Sequence, residues 1–391
     1  MSFLSVIIQY KWVILFYLII ILIIVRNKKK FEFQAKFIAL YRTKVGLRLI
    51  EKIGTKYAKF IKILGYIGIF VGYLGMAIIM IFLIKGLYDL VFVPEAPAVI
   101  APVIPGVPIP GSPIFVPFWY GIISLFIVVL IHEFSHGIVA KAYKLPVLNT
   151  GIVFFGPLIG AFVEPDEKKL KKREDKVRYS VFAAGPFSNI ITAGIVLLIL
   201  SLVLTPVTDA VAQPIGFSFS EVEQGMPAEL AGIEPGVVYN KVNNQSVLSI
   251  PAFLSALENL KINETVIISN EQNTYIMMAA PSKEEPGKAV IGVRFSAKKN
   301  THFTNQDNVL VQLLLWFDGL FIWIFILSLG LGLANLLPLG PVDGGRMLQV
   351  SLTRSLGKKK GNLVWSKVTI IMIIILAILL LTPIIKAVLP I

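Results

Sequence analysis

Residues 121–136 read GIISLFIVVLIHEFSH. The run from Pro117 to His136 is close to the ~20 residues that a helix needs to cross a bilayer, yet it ends in two histidines with a carboxylate between them. On a helix, positions i and i+4 share a face, so His132 and His136 can turn both imidazoles towards one ion while Glu133 stands beside it. That set suits metal-assisted hydrolysis of a peptide or amide bond: a divalent metal such as zinc brings the pKa of water towards ~7, and the glutamate takes the proton. Ionisable side chains at membrane depth are costly and need partners or a purpose. With Pro117 at the outer edge, His132 lies about 23 Å further in at ~1.5 Å per residue, inside a ~30 Å core and nearer its cytosolic face. A chance HExxH on a soluble helix has no such surroundings.

The composition agrees. The 391-residue chain is 56% hydrophobic and only 15% charged, which an ordinary soluble domain does not reach. The expected fold class is therefore a polytopic α-helical membrane protein. Cysteine is absent, which excludes disulfides, thiolate catalysis and cysteine-ligated metal; a metal must be held by histidine and carboxylate. The net charge of +14 is local: residues 26–62 hold 12 Lys/Arg against 2 Asp/Glu, and residues 141–178 hold 9 against 5, which together make up the whole excess. Both segments flank apolar spans, so the positive-inside rule accounts for them, and no nucleic-acid partner is expected.

Apolar stretches near spanning length fall at roughly 5–25, 63–84, 117–136, 179–204, 309–335 and 363–385, giving about six transmembrane helices. The first lacks a basic leading region and a cleavage site and is followed by Arg26-Asn27-Lys28-Lys29-Lys30, which suggests a retained anchor with its N-terminus outside. Alternation then puts 26–62, 137–178 and 336–362 on the cytosolic side, the last with Arg346, Arg354, Lys358, Lys359 and Lys360. Both termini fall outside. The expected domains are 1–116, two spans with a basic cytosolic loop and a proline-rich external loop (VPEAPAVIAPVIPGVPIPGSPIFVP, 93–117); 117–204, the first part of a catalytic membrane core; 205–300, a small β-rich soluble domain outside; 301–362, the second part of the core; and 363–391, the last span. Asp318, between Trp316 and Trp323 in LLLWFDGLFIW, is expected at the outer interface.

Two histidines leave a metal one protein ligand short. His302 falls in the external segment. NLLPLGPVDGGR, residues 335–346, closes the fifth span, and Pro338, Gly340, Pro341, Gly344 and Gly345 prevent a regular helix there. Irregular backbone at membrane depth is tolerated where it is buried in protein or lines a wet cavity, so Asp343 is the candidate third ligand. The alternative is an Asp that caps the helix beginning GRMLQVSL in a cytosolic loop.

Together these residues resemble the site-2 protease family of intramembrane zinc metalloproteases. HEFSH matches that family's HExxH, and Asn335-Leu336-Leu337-Pro338 with Val342-Asp343-Gly344 matches its N-x-x-P followed by a hydrophobic-Asp-Gly. The resemblance implies one Zn2+ per chain held by His132, His136 and Asp343, Glu133 as catalytic acid/base, and Asn335 as a substrate-binding residue. Gly185-Pro186-Phe187-Ser188-Asn189, opening the fourth span, is similar to the family's GPxxN and implies that the Asn189 amide contacts substrate or transition state; helix packing is the alternative. VLNTGIVFFGPLIGAFV, residues 147–163, is too apolar for a cytosolic loop and too glycine-rich for a span. The resemblance suggests a membrane-dipping β-hairpin whose edge, through Gly151, Val153 and Phe155, guides an unwound substrate segment, or else a hairpin that shields the site from lipid. PAELAGIEPGVV and GKAVIGVRF resemble a circularly permuted bacterial PDZ domain, which implies a PDZ-like α+β fold able to bind an extended peptide.

The function expected is that of a zinc endopeptidase cutting transmembrane segments of other membrane proteins, multi-pass in a plasma membrane, with its zinc site nearer the cytosolic side. Two other classes remain: a catalytically silent scaffold binding partners through the inserted domain, and a zinc transporter, for which no second intramembrane metal site is visible in the sequence.

Overall fold

A helix that is apolar all round must lie against other protein or against lipid. The computed structural model, which describes residues 10–34, 38–93, 100–107, 109, 114–156, 158–282, 287–295, 301–305 and 307–388, contains five helices long and apolar enough to cross a membrane. In chain order the elements around them are α1 (Lys11–Arg26), β1 (Phe31–Gln34), β2 (Ile38–Thr43), α2 (Leu47–Lys56), α3 (Ala58–Phe92), α4 (Phe118–Ala142), β3 (Val147–Phe155), β4 (Leu158–Pro165), α5 (Glu167–Leu170) and α6 (Asp175–Ile199). After an inserted segment come α7 (Val309–Asn335), α8 (Asp343–Leu356) and α9 (Lys358–Val388). The five spans are α3, α4, α6 with its extension to Val211, α7, and α9 as far as Ile385. The first apolar stretch, expected as a sixth crossing, is among the described residues a helix of 16 residues, shorter than a crossing needs; residues 1–9 lie outside them. So does much of the proline-rich loop, whose described parts carry no regular structure.

The chain divides into two compact units, residues 1–198 with 320–391, and residues 199–319. In the first, α3 presents Gly65, Gly68, Gly72 and Gly75 at spacings of three and four, so they share one face. A side chain at these positions would press on Ser180, Phe187, Met347 and Leu336 respectively. The glycine face thus lets α3 dock closely on α6, on α8 and on the turn before α8, as small residues do in membrane bundles. Ser351 of α8 is hydrogen-bonded to Tyr73 of α3 (2.5 Å) and Tyr179 of α6 (2.9 Å), fixing the same three helices. Behind α4 lies α2, whose Ile50 is fully buried and whose N-terminus turns at Gly46, in the left-handed region, against the ring of Phe134.

The four strands form one antiparallel sheet in the order β1-β2-β3-β4. This corrects two expectations. Residues 26–62 are not merely a basic loop, because their alternating Phe31, Phe33, Ala39, Tyr41 and Thr43 build β1 and β2. And β3, which carries Gly151, Val153 and Phe155, has no open edge: β2 pairs with one side of it and β4 with the other. Gly151 has a packing reason, since a Cβ there would meet the ring of Phe162. The open edges of the described sheet are β1 and β4.

The second unit has its own apolar core around Phe217, Phe219, Tyr239, Phe253, Val266 and Ile268. Its four-stranded sheet orders Thr274–Met278, Thr265–Ser269, Lys241–Val242 and Gln245–Ser246, with shorter ladders joining Pro214–Phe217 to Thr301–Phe303 and Glu221–Val222 to Val293–Arg294.

Across the first sheet, Arg42 of β2 makes a forked contact with Glu164 of β4 (2.7 and 3.0 Å) and also pairs with Glu32 of β1, while Asn149 of β3 donates to Glu164 (2.8 Å). These bonds to Arg42 hold the Glu164 carboxyl below the usual carboxylate range and the guanidinium above its own. A depressed carboxylate stabilises the fold above its unfolded pKa and ceases to do so as pH falls through its folded value. Arg42→Leu is therefore expected to cost about 1 kcal/mol or less at pH about 7. In thermal unfolding the gap to the wild type should shrink towards pH about 3; a gap independent of pH would assign the loss to packing alone.

Candidate metal centre

The helix bearing HEFSH runs on to Ala142, so the motif lies in the second half of α4 rather than at its end. Its helical spacing does what the pattern requires: the rings of His132 and His136 have centroids 4.9 Å apart, and both Nε2 atoms face Asp343. His132 Nε2 is 3.1 Å and His136 Nε2 3.3 Å from the same oxygen, Asp343 Oδ2. Asp343 arrives there because of the turn before it. It is the first residue of α8, Val342 holds the capping position without a side-chain bond, and the carboxylate points at the histidines instead of capping the helix. A Cβ on Gly344 or Gly345 would collide with the carbonyls of Leu336, Leu337 or Leu339, so the two glycines let the first turn of α8 fold flat against residues 336–339. Trp365 Nε1 of α9 donates to the Gly345 carbonyl (2.8 Å) and holds that turn.

The third contributor is α6. It begins at Asp175, so GPFSN stands in mid-helix and does not open the span as the sequence suggests; Pro186 lies inside it. Residues 181, 185 and 189, four apart, share its face towards α4. The Val181 carbonyl accepts from His136 Nδ1 (2.6 Å), and the Asn189 amide nitrogen is 3.1 Å from His132 Nδ1. Between them a Cβ on Gly185 would touch Nε2 of both histidines.

His132, Glu133, His136, Val181 and Asp343 line a cavity of about 740 Å3, which Asn335 also lines, its amide donating back to Leu331 O (3.0 Å). Glu164, Asp166, Glu167, Lys168 and Arg346 give the cavity a polar side. Arg346 lies over the Phe182 ring (4.4 Å) and donates to Glu167 (2.6 Å). Glu133 is held by the sheet: the Val163 N–H donates to its Oε2 at 3.1 Å. Since Val163 points its N–H away from β3, alternation gives Ile159 and Ala161 the same outward direction along the open edge of β4.

A metal fits here by three observations. The ligand atoms of His132, His136 and Asp343 all lie within 4.8 Å of one another, and their closest approaches match the ~3.3 Å edges of a tetrahedron with ~2.0 Å bonds. Two nitrogens and a carboxylate oxygen are a donor set that zinc takes. And glycine at 185 keeps empty the space both Nε2 atoms face.

Of the residues singled out in the sequence, the structure brings together His132, Glu133, His136, Asp343, Asn189 and Asn335. It leaves Gly151, Val153 and Phe155 on an inner strand away from the cavity, where Val163 and Glu164 of β4 stand instead. His302 lies in the other unit, hydrogen-bonded to Ser218 (2.9 Å). Val181, Val163 and Arg346 also join the site. Val181 and Val163 act through main-chain atoms, which leave no mark on residue type; the one available signal was the spacing of four from Val181 to Gly185 to Asn189.

Among known proteins, the pattern of peptidase family M50 matches residues 120–379. The chain belongs to this family, the site-2 proteases. It is similar to an uncharacterized protein of Methanocaldococcus jannaschii, MJ0971, with 27% identity over 332 residues, 83% of this chain and 80% of that protein. It is also similar to the zinc metalloprotease RasP of Oceanobacillus iheyensis, 23% identical over 243 residues, 50% of this chain and 56% of RasP. Membership of M50, with the apolar helices, makes this a membrane metalloprotease, and metalloproteases of the family use zinc.

The close approach of α6 gives a direct check. Gly185→Ala places a methyl group between the two imidazoles, and the metal content of detergent-purified protein is expected to fall from about one ion per chain to near zero while helical circular dichroism is unchanged. A fully loaded alanine variant would place α6 elsewhere.

Proposed function

We propose that this M50 member is an intramembrane zinc endopeptidase that hydrolyses peptide bonds within transmembrane segments of other membrane proteins, in regulated intramembrane proteolysis. The observation that carries the reading is Glu133: a carboxylate beside a His-His-Asp group, on an apolar helix, facing a cavity with a polar side. His132, His136 and Asp343 would hold the zinc, which when bound would supply Lewis acidity towards a carbonyl and water at neutral pH. Glu133 takes the proton from the attacking water and returns it to the departing amine. The acidic and basic side chains along the cavity give water a path to a site that lipid would otherwise keep dry.

A helical substrate has its carbonyls bonded within itself and must be unwound before attack. The open edge of β4 offers an extended segment its outward N–H and C=O groups, in place of the inner strand β3. The Val163 N–H cannot serve a substrate carbonyl and Glu133 at once, so pairing at this edge also frees the glutamate to act as base. Residues 205–300 form a PDZ-like extracytoplasmic domain able to take an extended peptide, and the zinc lies nearer the cytosolic side of a plasma membrane. A silent scaffold would have no use for Glu133 at that position.

Two measurements test this. Glu133→Gln should keep its zinc and lose cleavage of tagged single-span substrates by at least about 100-fold; zinc-loaded variant and wild type cutting alike would end the protease reading. Val163→Pro removes one outward N–H and spares the bonds to β3, as proline does on an edge strand. Cleavage is expected to drop about tenfold, chiefly through KM, with zinc retained, and an unaltered KM would take the β4 edge out of substrate binding.

A further inference from the structure

A neutral imidazole that offers Nε2 to a metal carries its proton on Nδ1 and needs an acceptor there. For His136 the acceptor is the Val181 carbonyl, at 2.6 Å. For His132 the neighbour is Asn189, whose amide nitrogen, a donor, is the atom at 3.1 Å from Nδ1. A donor facing Nδ1 would make Nδ1 the acceptor and put the proton on Nε2, which lies 3.1 Å from Asp343 Oδ2. That tautomer has no lone pair for an ion. The same orientation leaves Asn189 Oδ1 buried without a hydrogen-bond partner.

A half-turn of the carboxamide exchanges its oxygen and nitrogen in the same volume. It sets Oδ1 against Nδ1, which can then keep the proton, and Nε2 becomes free to bind. We infer that Asn189 is a positioning residue for the metal, its carboxamide oxygen accepting from His132 Nδ1–H so that Nε2 is left free for the ion. Its backbone is fixed for this purpose. Ser328 Oγ of α7 donates to the Asn189 carbonyl (2.9 Å), and a Cβ on Gly332 would meet the Asn189 Cβ at 3.2 Å, so the amide plane is the part left to turn. The inference rests on the metalloprotease reading above but concerns the ion alone.

The test is zinc affinity, measured on the full-length protein in detergent by competition with a chromophoric chelator. Asn189→Leu removes the acceptor and is expected to weaken zinc binding about 10- to 100-fold, the range seen when partners of ligating histidines are removed. Asn189→Asp keeps only acceptors and should bind within about threefold of wild type or more tightly, with an unchanged tetrahedral cobalt spectrum. Wild-type affinity in a folded Asn189→Leu variant overturns the inference, as does an Asn189→Asp variant weakened as much as the leucine one. Should the leucine variant not fold, the aspartate variant decides alone, because a working amide donor would leave it facing a second acceptor. His136→Ala separates the two levels: zinc binding that survives it, or is missing from the wild type, defeats the metal-site reading itself, whereas loss there with an unaffected Asn189→Leu defeats only the role of Asn189.

Discussion

Two imidazoles within about 3.3 Å of one carboxylate oxygen, largely buried among apolar helices, are the constraint to which the rest of the membrane unit answers. Each group alone would be expensive to remove from water. Together they are tolerable because each ring nitrogen and the shared Asp343 oxygen has a partner, and because a divalent cation at their meeting point would offset the carboxylates. The need to converge dictates the backbone: α4 must offer two positions four residues apart, α6 must come close enough to touch both rings, and the chain after α7 must break so that a carboxylate enters from a third direction.

Close approach is bought with small residues. Gly185 brings α6 against the histidines, Gly344 and Gly345 flatten the start of α8, and the glycine face of α3 clamps α6 and α8 from behind. In lipid, where burial of apolar surface drives little between helices, such contacts with interhelical hydrogen bonds such as those of Ser351 supply much of the cohesion. The sheet completes the enclosure and brings a main-chain donor to Glu133.

The metal ligands were legible because their signals are local. A spacing of four within an apolar run identifies His132 and His136, and the Pro-Gly break before Asp343 says that helix cannot continue there. The Asp itself was ambiguous between ligand and cap until the backbone showed Val342 in the cap position. Other features were hidden for physical reasons. Residues 31–43 lie in a segment whose density of Lys and Arg marks it as a loop flanking a span, which hides β1 and β2 and, with them, the strand that occupies one edge of β3. The charged start of α6, REDKVRYS, resembled a cytosolic loop, which moved GPFSN from mid-helix to a helix start. The Arg42–Glu164 pair joins residues 122 apart in the chain, a distance over which residue spacing carries no information.

One consequence follows from the meander of the sheet. The family signature occupies residues 120–379, but that length of chain does not contain the groups that complete its own packing. Cut at its boundary, β3 would show a bare edge where Thr43 and Tyr41 now pair, Glu164 would lose Arg42, Phe134 would lose Gly46, and α6 and α8 would lose the grooved surface of α3. The stretch that carries the chemistry and the stretch that packs around it are different lengths of polypeptide. Strand β2, the turn at Gly46 and helix α3 therefore brace the metal centre from outside the signature, and a boundary drawn from the signature alone describes a site without walls.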